Sequence, residues 1–133
     1  MYRKFETLTT FYKSDTNPIE LFIRKYLAVI ERKLWIPDSV SKFGYEGIHL
    51  IFLIPKDIIT PEIESNFPPV FFELQIKTLF QHAWAEADHD LAYKPQKKLD
   101  DEQERKIAFT AAQAWGADLI FNDLAKSLGI FDN

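Results

Sequence analysis

The period of the hydrophobic residues changes once between Val70 and Lys94, and that change sets most of what the chain can become. The first part of the run reads Val-Phe-Phe-Glu-Leu-Gln-Ile-Lys from Val70 to Lys77. Its β-branched and aromatic content and its alternation predict a strand. Period two sends Val70, Phe72, Leu74 and Ile76 to one face and Glu73, Gln75 and Lys77 to the other. From Thr78 the period becomes helical, with Phe80, Trp84, Ala87 and Leu91 on one stripe and His82, Glu86, His89 and Tyr93 on the opposite one. Three polar groups thus share one sheet face, and the helix after it has a dry side and a chemically rich side.

The remaining segments read as scaffold around this run. Glu6 to Tyr12, rich in Thr and aromatics, predicts a strand that ends at Lys13-Ser14-Asp15-Thr16. Asn17-Pro18-Ile19-Glu20 reads as a helix start, with Asn17 as N-cap, Pro18 at the first helical position and Glu20 reaching back as in a capping box. Ile19, Phe22, Ile23, Tyr26, Leu27, Ile30 and Leu34 follow at helical spacing and predict one amphipathic helix ending before Pro37. Pro37 to Gly47 reads as a loop. Ile48 to Ile54 is nearly all apolar, which predicts a central strand covered on both faces and lying beside the Val70 strand. The four prolines between Pro55 and Pro69 mark a surface connection. Lys94-Pro95-Gln96-Lys97-Lys98 is a basic break, and Asp100-Asp101-Glu102 puts acids at the start of a last helix. The inner stripe of that helix is Ile107, Ala111, Ala114, Phe121, Ala125 and Leu128, with Trp115 beside it, and Gly129 is its stop. Asp118 falls inside this apolar stripe without an explanation in the sequence.

The order is strand, helix, strand, strand, helix, helix, which predicts an α/β (α+β) domain with a small mixed sheet packed by helices. At 133 residues the chain reads as one domain, and 47% hydrophobic residues suffice for a real core. A formal charge of −4 excludes a strong positive field, so neither duplex nucleic acid nor an anionic membrane is the expected partner. The absence of cysteine rules out disulfides, thiolate nucleophiles and cysteine-based zinc sites, and suits a cytoplasmic protein. The first residues lack an apolar signal core, and no apolar run approaches the roughly 18 residues of a membrane span.

Several residues carry candidate chemistry. Glu73 on a sheet face can accept a hydroxyl proton or bind a hard cation through oxygen. By pattern alone, the solvated side of an edge strand is the favoured reading of Glu73 and Gln75. Tyr45, in a loop flanked by Gly44 and Gly47, can present its ring to a base or pack over the core. His82, Glu86 and His89 lack His-Glu-x-x-His spacing, so a solvated helix face is expected there and no zinc site. Trp84 is expected in the core. Lys94, Lys97 and Lys98 could meet phosphates, or serve only as dipole partners at a helix end.

Taken together, Glu73-Leu74-Gln75-Ile76-Lys77-Thr78, then Trp84-Ala85, His89 and Tyr93-Lys94, resemble the Glu-x-Gln-Ile-Arg-Thr strand, Trp-Ala, later His and Tyr-Lys of the RelA/SpoT alarmone synthetase domain. Gly44-Tyr45-Glu46-Gly47-Ile48-His49 resembles that family's Gly-Tyr-x-Ser-x-His element, directly before a strand as it should be. The family transfers pyrophosphate from ATP to the 3′-hydroxyl of GDP or GTP, making guanosine tetra- and pentaphosphate. The resemblance implies a nucleotidyltransferase-like fold. It implies that Glu73 acts on the acceptor hydroxyl or holds Mg²⁺, with Gln75 orienting it. Tyr45 would stack on guanine, His49 and Lys77 would lie near the nucleotide, and His89 and Lys94 would support the site.

The resemblance covers nearly all of this chain but only the back part of the family's domain. The front segment, with the basic cluster that meets ATP phosphates, has no counterpart here. An overlay of the first strand puts Tyr2 and Thr7 where the family has a magnesium Asp and a following Arg. Phe43, Glu46, Gly47 and Lys77 stand where it commonly has Asn, Arg, Ser and Arg, and the last change keeps charge but loses the planar fork. The expectation is a single partial domain, 1–133, that binds GDP or GTP and handles ATP only if a front half is supplied. It would act as an incomplete synthetase or as a non-catalytic guanosine-nucleotide or oligomerising module. The acceptor, whether GDP, GTP or a tRNA 3′ end, stays open. Exposed sheet edge and apolar helix surface predict self-association into a homo-oligomer, or pairing with a complementing chain.

Overall fold

The computed structural model describes residues 3–53, 71–93 and 97–132. Tyr2, Ile54, the connection 55–69, Val70 and Lys94 to Gln96 therefore lie outside the described residues. The chain forms β1 (Arg3–Thr10), a 3-10 turn (Lys13–Asp15), α1 (Thr16–Tyr26), β2 (Val29–Trp35), β3 (Gly47–Leu53), β4 (Phe71–Thr78), α2 (Leu79–Tyr93) and α3 (Asp101–Ser127). The four strands make one mixed sheet in the order β1-β4-β3-β2, with β1 parallel to β4 and the other pairs antiparallel. This is the expected α/β class. Among the described residues no helix is long and apolar enough to cross a membrane.

The expected helix from Asn17 to beyond Leu34 is two elements. Leu27 turns extended (φ −125°, ψ 136°) and ends α1. Val29 to Trp35 then pairs with β3 as an edge strand. Ile30 and Leu34 are four residues apart, an even spacing that satisfies a helix face and a strand face alike. The alternation of Glu31, Lys33 and Trp35 against Arg32 and Leu34 is the pattern that prevails. A register shift between Val29 and Glu31 lets Val29 face the core although Ile30 is 55% exposed.

The start of α1 also differs from the expected capping box. The 3-10 turn feeds directly into the helix, Asp15 is the N-cap without a side-chain bond, and Pro18 sits in the first turn, where its missing N–H costs nothing. Glu20 is instead buried and ion-paired: Arg24 Nε (2.8 Å) and Arg32 Nε (2.7 Å) donate to Oε2, and Arg32 Nη2 (3.0 Å) donates to Oε1. These bonds, the Arg32 one foremost, hold its carboxyl below the usual range.

The core lies between α1 and one sheet face. Leu50 and Ile76 are fully buried with Ile48, and Ile19, Ile23, Val29 and Leu74 pack around them. β3 is central, as expected, flanked by β4 and β2. The last helix packs along α2 rather than across the sheet. Its small residues Ala111, Ala114 and Ala125 are buried, and Trp84 Nε1 donates to Thr110 Oγ1 (3.0 Å) and to the Ile107 carbonyl (3.3 Å). The stripes are less complete than the period suggested: Leu91, Phe121 and Leu128 are about half exposed or more, and Phe80 stacks on Phe121 at a rim. At its start, Asp100 and Gln103 form a reciprocal capping box. At its end, Gly129 (φ 71°) closes the helix, with Ile130 N bonded to Ala125 O and Gly129 N to Lys126 O.

Candidate functional site

The face opposite the core collects the polar residues of three strands. In register, His49 lies opposite Gln75, Ile51 opposite Glu73 and Lys33 opposite His49. Side chains at such positions share one face, so Lys33, His49, Glu73 and Gln75 form a contiguous surface. Tyr45 is brought onto it by the loop before β3. That loop passes so close to Gly47 that a Cβ there would meet the Tyr45 hydroxyl at 2.5 Å and its Cζ at 2.9 Å. A bare glycine is what lets the tyrosine fold over the start of the strand.

The groups form a directed chain. The Tyr45 hydroxyl is 2.7 Å from His49 Nε2, and His49 Nδ1 is 3.3 Å from Glu73 Oε1. Burial, reinforced by Glu73, pushes the Tyr45 hydroxyl well above its ordinary range, so it stays a proton donor. Burial also pushes the His49 imidazole down, against the pull of Glu73, which favours the neutral ring. One tautomer satisfies both neighbours: Nε2 accepts from Tyr45, and Nδ1–H faces the carboxylate. Lys77, 5% exposed, donates to Gln75 Oε1 (3.0 Å), and its Nζ lies 5.1 Å from the Tyr45 ring centre. Burial lowers the Lys77 pKa, with Glu86 opposing.

Tyr45, His49, Glu73, Gln75 and Lys77, all singled out from the sequence, are thus brought together. His89 is not: it is exposed on α2 with its ring stacked on Tyr93 at 4.7 Å. Lys94 lies outside the described residues. Among the described residues no three His, Asp or Glu side chains converge to hold a metal, the His82, Glu86 and His89 stripe included.

Two sets of residues escaped the sequence reading. Glu31, Lys33 and Trp35 share a cavity of about 190 Å³ with His49, Ile51 and Glu73. Lys33 Nζ sits 3.6 Å above the Trp35 ring, which is 5.7 Å from the His49 ring. Their alternation was the signal, masked by the helical reading of β2. The second set is Thr78, Gln81 and Asp118, buried where β4 runs into α2. It explains the acid in the apolar stripe: Thr78 Oγ1 donates to Asp118 Oδ2 at 2.8 Å.

The four-stranded mixed sheet with three helices is the fold of the small alarmone synthetases, and Tyr45, His49 and Glu73 are aligned on its face opposite the core. The family model described as "Region found in RelA / SpoT proteins" matches residues 7–98, and the chain belongs to that family. It is 34% identical over 74 residues to the GTP pyrophosphokinase YjbM of Bacillus subtilis (strain 168), a match covering 56% of this chain and 32% of that protein. The fold is similar to that of small alarmone synthetase 2 from Bacillus subtilis (TM-score 0.76, 20% identity, covering 92% of this chain and 65% of that one). It is also similar to small alarmone synthetase 1 from the same organism (TM-score 0.71, 23% identity, 93% and 61%) and to smu.1046c from Streptococcus mutans UA159 (TM-score 0.71, 24% identity, 93% and 60%). Small alarmone synthetase 1 has been solved with its product pppGpp and with AMPCPP. The match spans about a third of the curated relative, and the chain covers less than two thirds of each of these structures.

Proposed function

We propose that the Tyr45 face is the acceptor side of a RelA/SpoT-type synthetase, binding GDP or GTP and activating its 3′-hydroxyl for pyrophosphate transfer from ATP. The observation that carries this is the fixed carboxylate: Glu73 is oriented by His49, which is oriented by Tyr45. A carboxylate held this way can take the hydroxyl proton as the oxygen attacks phosphorus, which is what a general base must do from a set position. Tyr45 offers its ring to the base, and Lys33 and Lys77 supply positive charge near the phosphates. Glu73, with Glu31 lining the same cavity, would offer carboxylate oxygen to a magnesium ion. When bound it would neutralise phosphate charge. The ATP-binding residues are supplied from beyond this surface, by further sequence or by a complementing chain.

A second reading is a guanosine-nucleotide-binding module without catalysis. One observation favours it: Lys77, in place of the family's arginine, is buried and engaged by Gln75, and Glu46 beside the loop is paired with Lys13 at 3.0 Å. Incubation with Mg²⁺, ATP and GDP, GTP or tRNA, with product separated by chromatography, tests the first reading. Glu73→Gln should abolish any 3′-pyrophosphorylated product. No product from any acceptor, with or without an ATP-binding partner chain, sinks catalysis. Calorimetric titration with GDP, GTP and ppGpp then decides the second: binding lost in Tyr45→Ala supports a pocket, and no binding at all rejects both readings.

A further inference from the structure

A separate cavity of about 310 Å³ opens at the end of the sheet where β4 becomes α2, within the size range of small-molecule sites. Leu34, Trp35, Ile48 and Ile76 give it apolar walls, and Gln81 and Asp118 face into it. Both are buried, at 2% and 3% exposure. Their hydrogen bonds fix which atoms remain. Gln81 Oε1 accepts from Glu46 N (3.0 Å), so its amide is turned with Nε2 as the open group. Thr78 Oγ1 accepts from Gln81 N (3.1 Å) and donates to Asp118 Oδ2 (2.8 Å), leaving Oδ1 open. Gln81 Nε2 and Asp118 Oδ1 have no hydrogen-bond partner among the described residues. Buried polar atoms are rarely left so, because each has given up its hydrogen bond to water without a replacement.

One unpaired donor and one unpaired acceptor thus lie side by side, buried in the wall of the cavity between apolar side chains. The other charged groups of the lining are engaged within the protein, Lys13 with Glu46, Arg32 with Glu20 and Lys77 with the Gln75 amide oxygen, which suits a neutral ligand. We propose that this cavity binds a planar heterocycle by a lactam edge, its N–H donated to Asp118 Oδ1 and its C=O accepting from Gln81 Nε2. The chemistry is that of an oxopurine or oxopyrimidine base. Tyr45, His49, Glu73 and Gln75 do not line the cavity, although Trp35 and Lys77 border both it and the Tyr45 face.

The probe is free hypoxanthine, which carries the lactam edge without sugar or phosphate, against 1-methylhypoxanthine, in which the N–H is replaced. The readout is the Gln81 side-chain amide resonance in ¹⁵N-labelled protein. Hypoxanthine should shift it saturably, in the wild type and in Tyr45→Ala alike, and the methylated base should bind at least about tenfold more weakly, as loss of one charge-assisted bond implies. Gln81→Leu should remove the response at the remaining pocket amides. No saturable shift at millimolar hypoxanthine, an equal response to both bases, or a response abolished by Tyr45→Ala overturns the proposal. The ligand pair keeps the test decisive even if the Gln81 variant fails to fold.

Discussion

His49 lies between a hydroxyl that it accepts from and a carboxylate that it faces, and its titration reports on both. Burial lowers its pKa while Glu73 raises it, so Glu73→Gln should lower it further; histidine resonances followed against pH check this, and a rise would contradict the Tyr45–His49–Glu73 chain. Gly47→Ser should push the Tyr45 ring off His49, because the added Cβ meets that ring. The expected signs are a changed near-ultraviolet circular dichroism spectrum and, on the proposed function, weaker GDP binding with the fold intact. Glu20 acts on stability instead. Its folded pKa is depressed, so its contribution is fully present above the ordinary value of 4.5 and lost as pH falls through the lowered folded value. Glu20→Gln should cost about 1–3 kcal/mol at pH 7, below the figure for a fully buried pair because both arginines are more than a third exposed. Urea denaturation should show that cost shrinking as the acid range is entered.

Among the elements, β2 is the one whose identity depends on pairing. As an edge strand bonded on one side to β3, it should show hydrogen-exchange protection at alternate amides between Glu31 and Trp35, whereas a continued helix would protect consecutive ones. The other sharp local feature is the end of α3. Gly129 holds a positive φ, and a Cβ there would stand 3.1 Å from Asp132 Oδ2. Gly129→Ala should cost about 1 kcal/mol in urea denaturation.

For the molecule as a whole, the sheet has two edges, β1 and β2, and the helices leave much apolar surface uncovered. Phe109, Leu119, Ile120 and Leu124 on α3 are each close to half exposed or more. A surface of this kind favours association with a second copy. Light scattering should give a mass above that of one chain, and Ile120→Lys with Leu124→Lys should reduce it. A wild-type monomer would contradict this.

The sequence by itself determined what depends on near neighbours. The β4 period, the acidic start of the last helix at Asp100, the Gly129 stop and the grouping of Glu73, Gln75 and Lys77 on one face are set by spacing along a single element, so they were legible without partners. Tyr45 and His49 were singled out through the resemblance of the Gly-Tyr loop and the strand after it to the family's motif. Only the tertiary structure decided where one pattern fits two answers or where partners are far apart. Ile30 and Leu34 satisfy both periods, and pairing with β3 made the segment a strand, which in turn brought Lys33 and Trp35 to the site. Asp118 looked like an error in an apolar stripe until Thr78, 40 residues earlier, came to lie against it. Burial of a polar group is affordable only beside its partner, and that partner is chosen by the fold.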